Sequence, residues 1–204
     1  MTTESRAIAR KKLRQKEPFK MAIVEPPNQA SRSYAIDPAH SSVAFIARHM
    51  MIAKVRGHFN AVTGTIELAP AGNVPTRIEA AVEAGSIDTR EPKRDAHLKS
   101  ADFFDVEKFP QLTFRSTRIE GLERSFRVYG NLTIHGTTRE VAFETTFEGA
   151  GPDPWGKQRV GYEARAKISR ADFGLNWNQA LETGGVLVGD EIQIELSVEA
   201  TAQS

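Results

Sequence analysis

The side chains best suited to proton transfer or metal binding are five histidines: His40, His49, His58, His97 and His135. Imidazole titrates near neutral pH and ligates transition metals, so the neighbours of each ring decide its use. A hairpin centred between Met50 and Gly57 would set His49 opposite His58, near enough to share a metal or a proton. No third ligand stands at a suitable spacing, and no metal site is assigned. His97 closes the run Arg94-Asp95-Ala96-His97, where Asp95 could position it as a general base. No nearby serine or threonine has a nucleophile-elbow setting, so no catalytic residue is assigned. The chain has no cysteine, which removes disulfides, thiolate zinc sites, iron–sulfur clusters and cysteine nucleophiles together. Gly184, Gly185 and Gly189 offer backbone amides to a phosphate, but no P-loop or dinucleotide spacing leads into a helix, which favours a loop.

Charge excludes another class. The 204 residues carry 27 Lys and Arg against 26 Asp and Glu, a net charge of +1, so no excess of cations is available to hold nucleic acid by its phosphates. The cations gather in an N-terminal extension, residues 1–33, which includes Arg6, Arg10, Lys11, Lys12, Arg14, Lys16 and Lys20. No apolar stretch follows that would make it a secretory signal, and the expectation is a cytoplasmic protein. The extension reads as disordered, with weak contact to anionic membrane surfaces as a second use. Met21 is an alternative start. No run approaches the roughly 20 apolar residues of a membrane-spanning helix. Residues 34–204 form one domain, a length at which all-β barrels commonly stay single.

The elements that must position these groups are strands, because from Tyr34 onward the hydrophobic period is two. At the C-terminus Ile192, Ile194, Leu196, Val198 and Ala200 share one face, and Glu191, Gln193, Glu195, Ser197 and Glu199 the other. The same alternation recurs from Ile78 to Ala84, Phe126 to Ile134, Val141 to Phe147 and Val160 to Ile168. Less regular strands are readable at Ser42–Met50, Val55–Leu68 and Leu112–Ile119, giving about eight. Within the second, the apolar phase slips between Phe59/Ala61 and Val62/Ile66/Leu68, as at a β-bulge. His135-Gly136 reads as a tight hairpin turn, and Gly149 to Gln158 as a longer loop. A short helical insert is predicted where Asp88 and Glu91 resemble a capping box ahead of Pro92 and Arg94–Lys99.

Periodicity alone leaves a closed barrel and a sandwich both open. Inward alanines, Ala80, Ala84, Ala164, Ala166 and Ala200, favour a barrel with internal space, although alanines also pack beneath large neighbours. Phe103, Phe104, Phe173 and Trp177 fall outside the regular strands, where large apolar side chains plug or line a barrel mouth.

Four runs in order resemble the YceI-like family. They are Ile36-Asp37-Pro38-Ala39-His40-Ser41 with Phe45, His49, Gly57 and Phe59; Arg94 to Val106 with Pro110; Gly130 to Gly136; and Ile168 to Leu175. The resemblance covers Tyr34 to Ala200. It implies an antiparallel, lipocalin-like β-barrel, often dimeric, that threads a polyisoprenoid through an apolar interior. Many members are exported to the periplasm, unlike the cytoplasmic expectation here, and His58 is not a position the family reserves for histidine. Placement on the expected strands gives the candidate ligand-binding residues. The walls are Phe45, Phe59, Val82, Phe114, Leu132, Phe143, Ala164 and Ala166; the mouth is Phe103, Phe104, Phe173 and Trp177; the polar rim is Arg94, His97 and Arg170, and His49 is a further candidate. The expected function is binding, storage or transport of a polyisoprenoid or isoprenoid quinone, with no cofactor besides that lipid. The rivals are an enzyme on an isoprenoid-like substrate using His97 and Asp95, and an interaction protein with an empty barrel.

Overall fold

A computed structural model describes residues 31–50, 52–182 and 185–203. The expectations for residues 1–30 and for Gly184 lie outside the described residues. Eleven strands and one helix follow in order: β1 (Arg32–Ile36), β2 (Ser42–His49), β3 (Ala53–Phe59), β4 (Val62–Leu68), β5 (Pro75–Glu83), β6 (Ile87–Asp88), α1 (Pro92–Lys99), β7 (Gln111–Leu122), β8 (Ser125–Ile134), β9 (Thr137–Pro152), β10 (Gln158–Ser169) and β11 (Val188–Ala202).

These strands close an eight-stranded antiparallel barrel because three barrel strands are each broken in two. β11 pairs with β1 through Ile36 and Ala200, then with β2 through Ser42 and Ser197. Thus β1 and β2 are halves of one strand, separated by a corner at Asp37–Ser41. The same holds for β3, paired with β2, and β4, paired with β1. β5 lies against β4, and β6 against β3. From β7 to β11 each strand pairs with the next, and the β1–β11 ladder closes the ring. Closure leaves no long edge to template aggregation.

The phase slip near Phe59 is therefore a break in the strand and not a bulge. Phe59 and Val62 both stay buried, and the corner between them is held by Ser86, whose carbonyl accepts from Asn60 N at 3.2 Å and whose hydroxyl accepts from Ala61 N at 3.1 Å. A break and a bulge shift the apolar phase identically, which is why periodicity did not separate them. His135 and Gly136 form the expected tight turn, with φ of 50° and 70°, the left-handed pair that matches strand twist. The expected loop from Gly149 is shorter. β9 runs to Pro152 because Gly149 and Gly151 still pair across the hairpin with Gly161 and Arg159. α1 forms where predicted, but Glu91 is itself the N-cap, accepting from Lys93 N and Arg94 N, while Asp88 accepts from Arg90 N.

Inward faces are apolar and outward faces carry the charges, as in Arg127 paired with Glu144 and Lys167 with Glu191. That polarity is the reverse of a transmembrane barrel, whose outer band is apolar. Among the described residues no helix is long and apolar enough to cross a membrane. One end of the barrel is closed by buried Tyr34, Leu68, Phe126, Val160 and Ala200. The opposite end carries the β2–β3 turn, α1, residues 100–110 and the long segment between β10 and β11.

Candidate functional site

The inward side chains do not meet at the barrel centre. They enclose a cavity of about 250 Å³, and only Thr113, Thr145, Tyr162 and Arg170 among its lining residues have polar side chains. β11 contributes Val188, Ile192, Ile194, Leu196 and Val198. The ten steps from Val188 to Val198 correspond to roughly 33 Å of strand at about 3.3 Å each, so the cavity is elongated. Facing β11 are Ile78, Ala80 and Val82 from β5 and Leu112 and Phe114 from β7.

Two close backbone approaches shape the walls. The Phe45 ring lies over Gly57, its registered partner on β3, and the Phe114 ring lies over Gly130 on β8; a Cβ at either glycine would collide with the ring. Phe45 then meets Phe59 at 5.8 Å between centroids, and Phe59 meets Phe104 edge-on at 5.8 Å. This aromatic chain leads from the wall toward the open end.

Ten of the sixteen candidate residues line the cavity: Phe45, Phe59, Val82, Phe103, Phe104, Phe114, Leu132, Phe143, Ala164 and Arg170. Ala166 and Phe173 are buried in the surrounding core. Of the five inward alanines, Ala80 and Ala164 border the space, whereas Ala84, Ala166 and Ala200 are packed against neighbours. His49, Arg94, His97 and Trp177 stand outside the cavity lining. The β11 lining and Leu98 of α1 lie outside the sixteen candidates; the inward phase of β11 is the signal in the sequence for the former.

His97 and Asp95 do not form a dyad. Positions two apart on a helix point to different sides, and Asp95 instead accepts from Thr89 N at 2.9 Å and Thr89 Oγ1 at 2.5 Å. His97 Nε2 lies 2.9 Å from Asp102 Oδ2, and its ring stacks edge-on to Phe103 and Trp177. Nor do His49 and His58 face each other, because the β2–β3 register pairs His49 with Ala53 and His58 with Ala44. Among the described residues, one group has a metal-ligating composition: Asp37, His40 and Glu199. Arg159 already donates to both carboxylates and to Asp153, so a guanidinium occupies the place a cation would take.

At the open end Arg170 is buried among backbone carbonyls. Its Nε donates to Gly189 O at 3.1 Å, one terminal nitrogen to Leu175 O and Trp177 O, and the other to Val188 O at 3.4 Å. Burial lowers its pKa, opposed by the charge of Asp190. The guanidinium therefore fastens the segment after β10 to the start of β11 and forms the inner floor of the mouth.

The geometry has a counterpart in known proteins. The YceI-like domain matches residues 34–200. A UPF0312 protein of Staphylococcus aureus is 36% identical over 168 residues, covering 82% of this chain and 96% of that protein. The chain belongs to the YceI-like family. BcnA of Burkholderia cenocepacia superposes with a TM-score of 0.70 at 24% identity, covering 81% of this chain and 99% of that one. A Campylobacter jejuni YceI protein gives 0.68 at 26% identity, over 77% and 90%. A polyisoprenoid binding domain from Saccharophagus degradans, implicated in plant cell wall breakdown, gives 0.63 at 14%, over 83% and 98%, a likeness of fold.

The four YceI-like runs now have physical roles. The first builds the Asp37–Ser41 corner and the Phe45–Gly57 approach. The second builds α1 and the aromatic mouth. Gly130 receives Phe114 and His135-Gly136 turns the chain, while the fourth run carries Arg170 and its buried neighbour Phe173.

Proposed function

We propose that this barrel holds one long apolar lipid of the polyisoprenoid class, an isoprenoid quinone included, and serves to bind, store or move it. The observation that carries the reading is the elongated and almost wholly apolar cavity inside the barrel. At about 250 Å³ it lies just below the usual range of roughly 300–1,000 Å³ for small-molecule pockets, and its length favours a slender chain over a fused-ring ligand. The polyisoprenoid-binding domain of Saccharophagus degradans, with the same fold, supports that choice.

Each methylene removed from water contributes about 0.8 kcal/mol. Binding costs reduce the net to roughly 0.3 kcal/mol per heavy atom for larger ligands, which places affinity in the micromolar to nanomolar range. A polar head group belongs at the mouth, beside Arg94 and His97. A homodimer in the cytoplasm completes the reading, tested by light scattering and cell fractionation. Mass spectrometry of an organic extract of natively purified protein tests the cargo. A stoichiometric prenyl lipid is expected; well-folded protein that yields no lipid sinks the carrier.

A further inference from the structure

At the turn joining β2 and β3, at the open end of the barrel, Met50 and Ile52 place apolar side chains in solvent. Ile52 is 85% exposed and Met50 39%. Met50 N donates to Leu187 O at 2.8 Å, so Val186, 38% exposed, adjoins the same tip. Apolar groups so exposed do not form a pocket for a small ligand; they suit a medium that they can enter.

The charge on this hairpin has one sign. From Pro38 to Ile66 the chain contains no Asp or Glu, while Arg48, Lys54 and Arg56 lie on the hairpin. Arg48 and Lys54 are exposed and registered directly opposite each other. Like charges so placed repel, an arrangement that an anionic surface would relieve. Arg56 pairs with Glu195, whereas Arg48 and Lys54 are in no ion pair among the described residues. Glu191 also feels the charge of Arg48, but its ion pair is with Lys167 at 3.2 Å, and Asp190 accepts from Ser169 Oγ at 2.5 Å. Asp172 and Glu182 are the acids of the segment after β10.

The other end contrasts on each count. Leu122 and Trp155 are exposed there, but Glu120, Glu123 and Arg124 surround the first and Asp153 and Lys157 the second, and the barrel beneath them is closed. Among the described residues, apolar tip, unpaired cations and cavity mouth coincide at the β2–β3 end.

We propose that this end docks on an anionic lipid bilayer, with Ile52, Met50 and Val186 entering the interface and Arg48 and Lys54 meeting headgroup phosphates. Docking would set the mouth against the membrane from which an apolar cargo comes; that use rests on the carrier reading, whereas the docking itself does not. Sedimentation of the full chain with vesicles of phosphatidylcholine, with and without phosphatidylglycerol, tests it. Binding is expected only with the anionic lipid. Ile52→Asp should weaken partitioning by about tenfold or more, since a buried isoleucine side chain is withheld. Arg48→Gln with Lys54→Gln should remove most of the salt dependence, and Trp155→Ser should change nothing. Equal binding by wild type and Ile52→Asp overturns the proposal and assigns any vesicle binding to another segment. Loss of self-association in Ile52→Asp, with no vesicle binding by wild type, overturns it in favour of a contact between copies. Extracted lipid is measured on the same samples: docking without cargo sinks the carrier alone, and cargo without docking sinks this proposal alone.

Discussion

Arg170 shows how a cation can be buried without a carboxylate hydrogen-bonded to it. Four carbonyls on two segments divide its charge, a geometry that a planar fork of donors satisfies and a single ammonium does not. Arg170→Leu should strip this donor from the Gly189, Leu175 and Trp177 carbonyls, while Val188 O keeps its bond from Asn178 Nδ2, and cost about 3 kcal/mol, with lysine recovering less than half. The midpoint of urea unfolding measures both. Gly57 makes the opposite demand, for absence of a side chain. Every atom that a Cβ would strike belongs to a side chain, on Phe45 or Thr89, so Gly57→Ala should fold at a cost of about 1–3 kcal/mol while pushing the Phe45 ring into the cavity. Bound lipid per protein should fall, as a comparison of extracts would register.

At the scale of elements, the corner between β1 and β2 is the device that lets one barrel strand bend. Arg159 on β10 bridges Asp37 at the corner, Glu199 on β11 and Asp153 in the β9–β10 turn. The Arg159 hydrogen bond first, and His40 second, lower the Asp37 pKa to about 2. A carboxylate depressed in the folded state stabilises above its unfolded pKa, near 4, and loses that contribution as pH falls toward 2. Thermal melts should therefore show a drop between about pH 4 and pH 2 that is smaller in Asp37→Asn. Partial exposure of the pair keeps the effect modest.

These elements mark what the sequence could disclose. The alternation on β8 and β10 shows directly which residues face inward, because each of these strands buries one face only. The Asp37–Arg159 bridge spans 122 positions, and Arg170 binds carbonyls, which leave no trace in residue type. His97 and Asp95 looked like partners by proximity along the chain, yet Thr89 took the carboxylate. The cavity was foreseen from alanines, but phenylalanines lying over Gly57 and Gly130 shape more of its wall than most of those alanines do.

For the whole molecule, an apolar cavity and a stable barrel pull against each other, since empty space forfeits packing contacts. A lipid that fills it should stabilise the native state by linkage. At a hundredfold excess over its dissociation constant the gain is about 2.7 kcal/mol. At roughly 2–4 °C per kcal/mol for a chain of this size, Tm should fall by about 5–11 °C on removal of the lipid and return on reloading. Ala164→Phe separates cargo from mere space, because Ala164 borders the cavity between Thr145 and Leu196. The added ring should raise the Tm of the lipid-free protein and abolish its response to lipid. A barrel whose interior serves no ligand would instead show the same Tm before and after extraction in both proteins, and calorimetry of the two side by side makes that comparison.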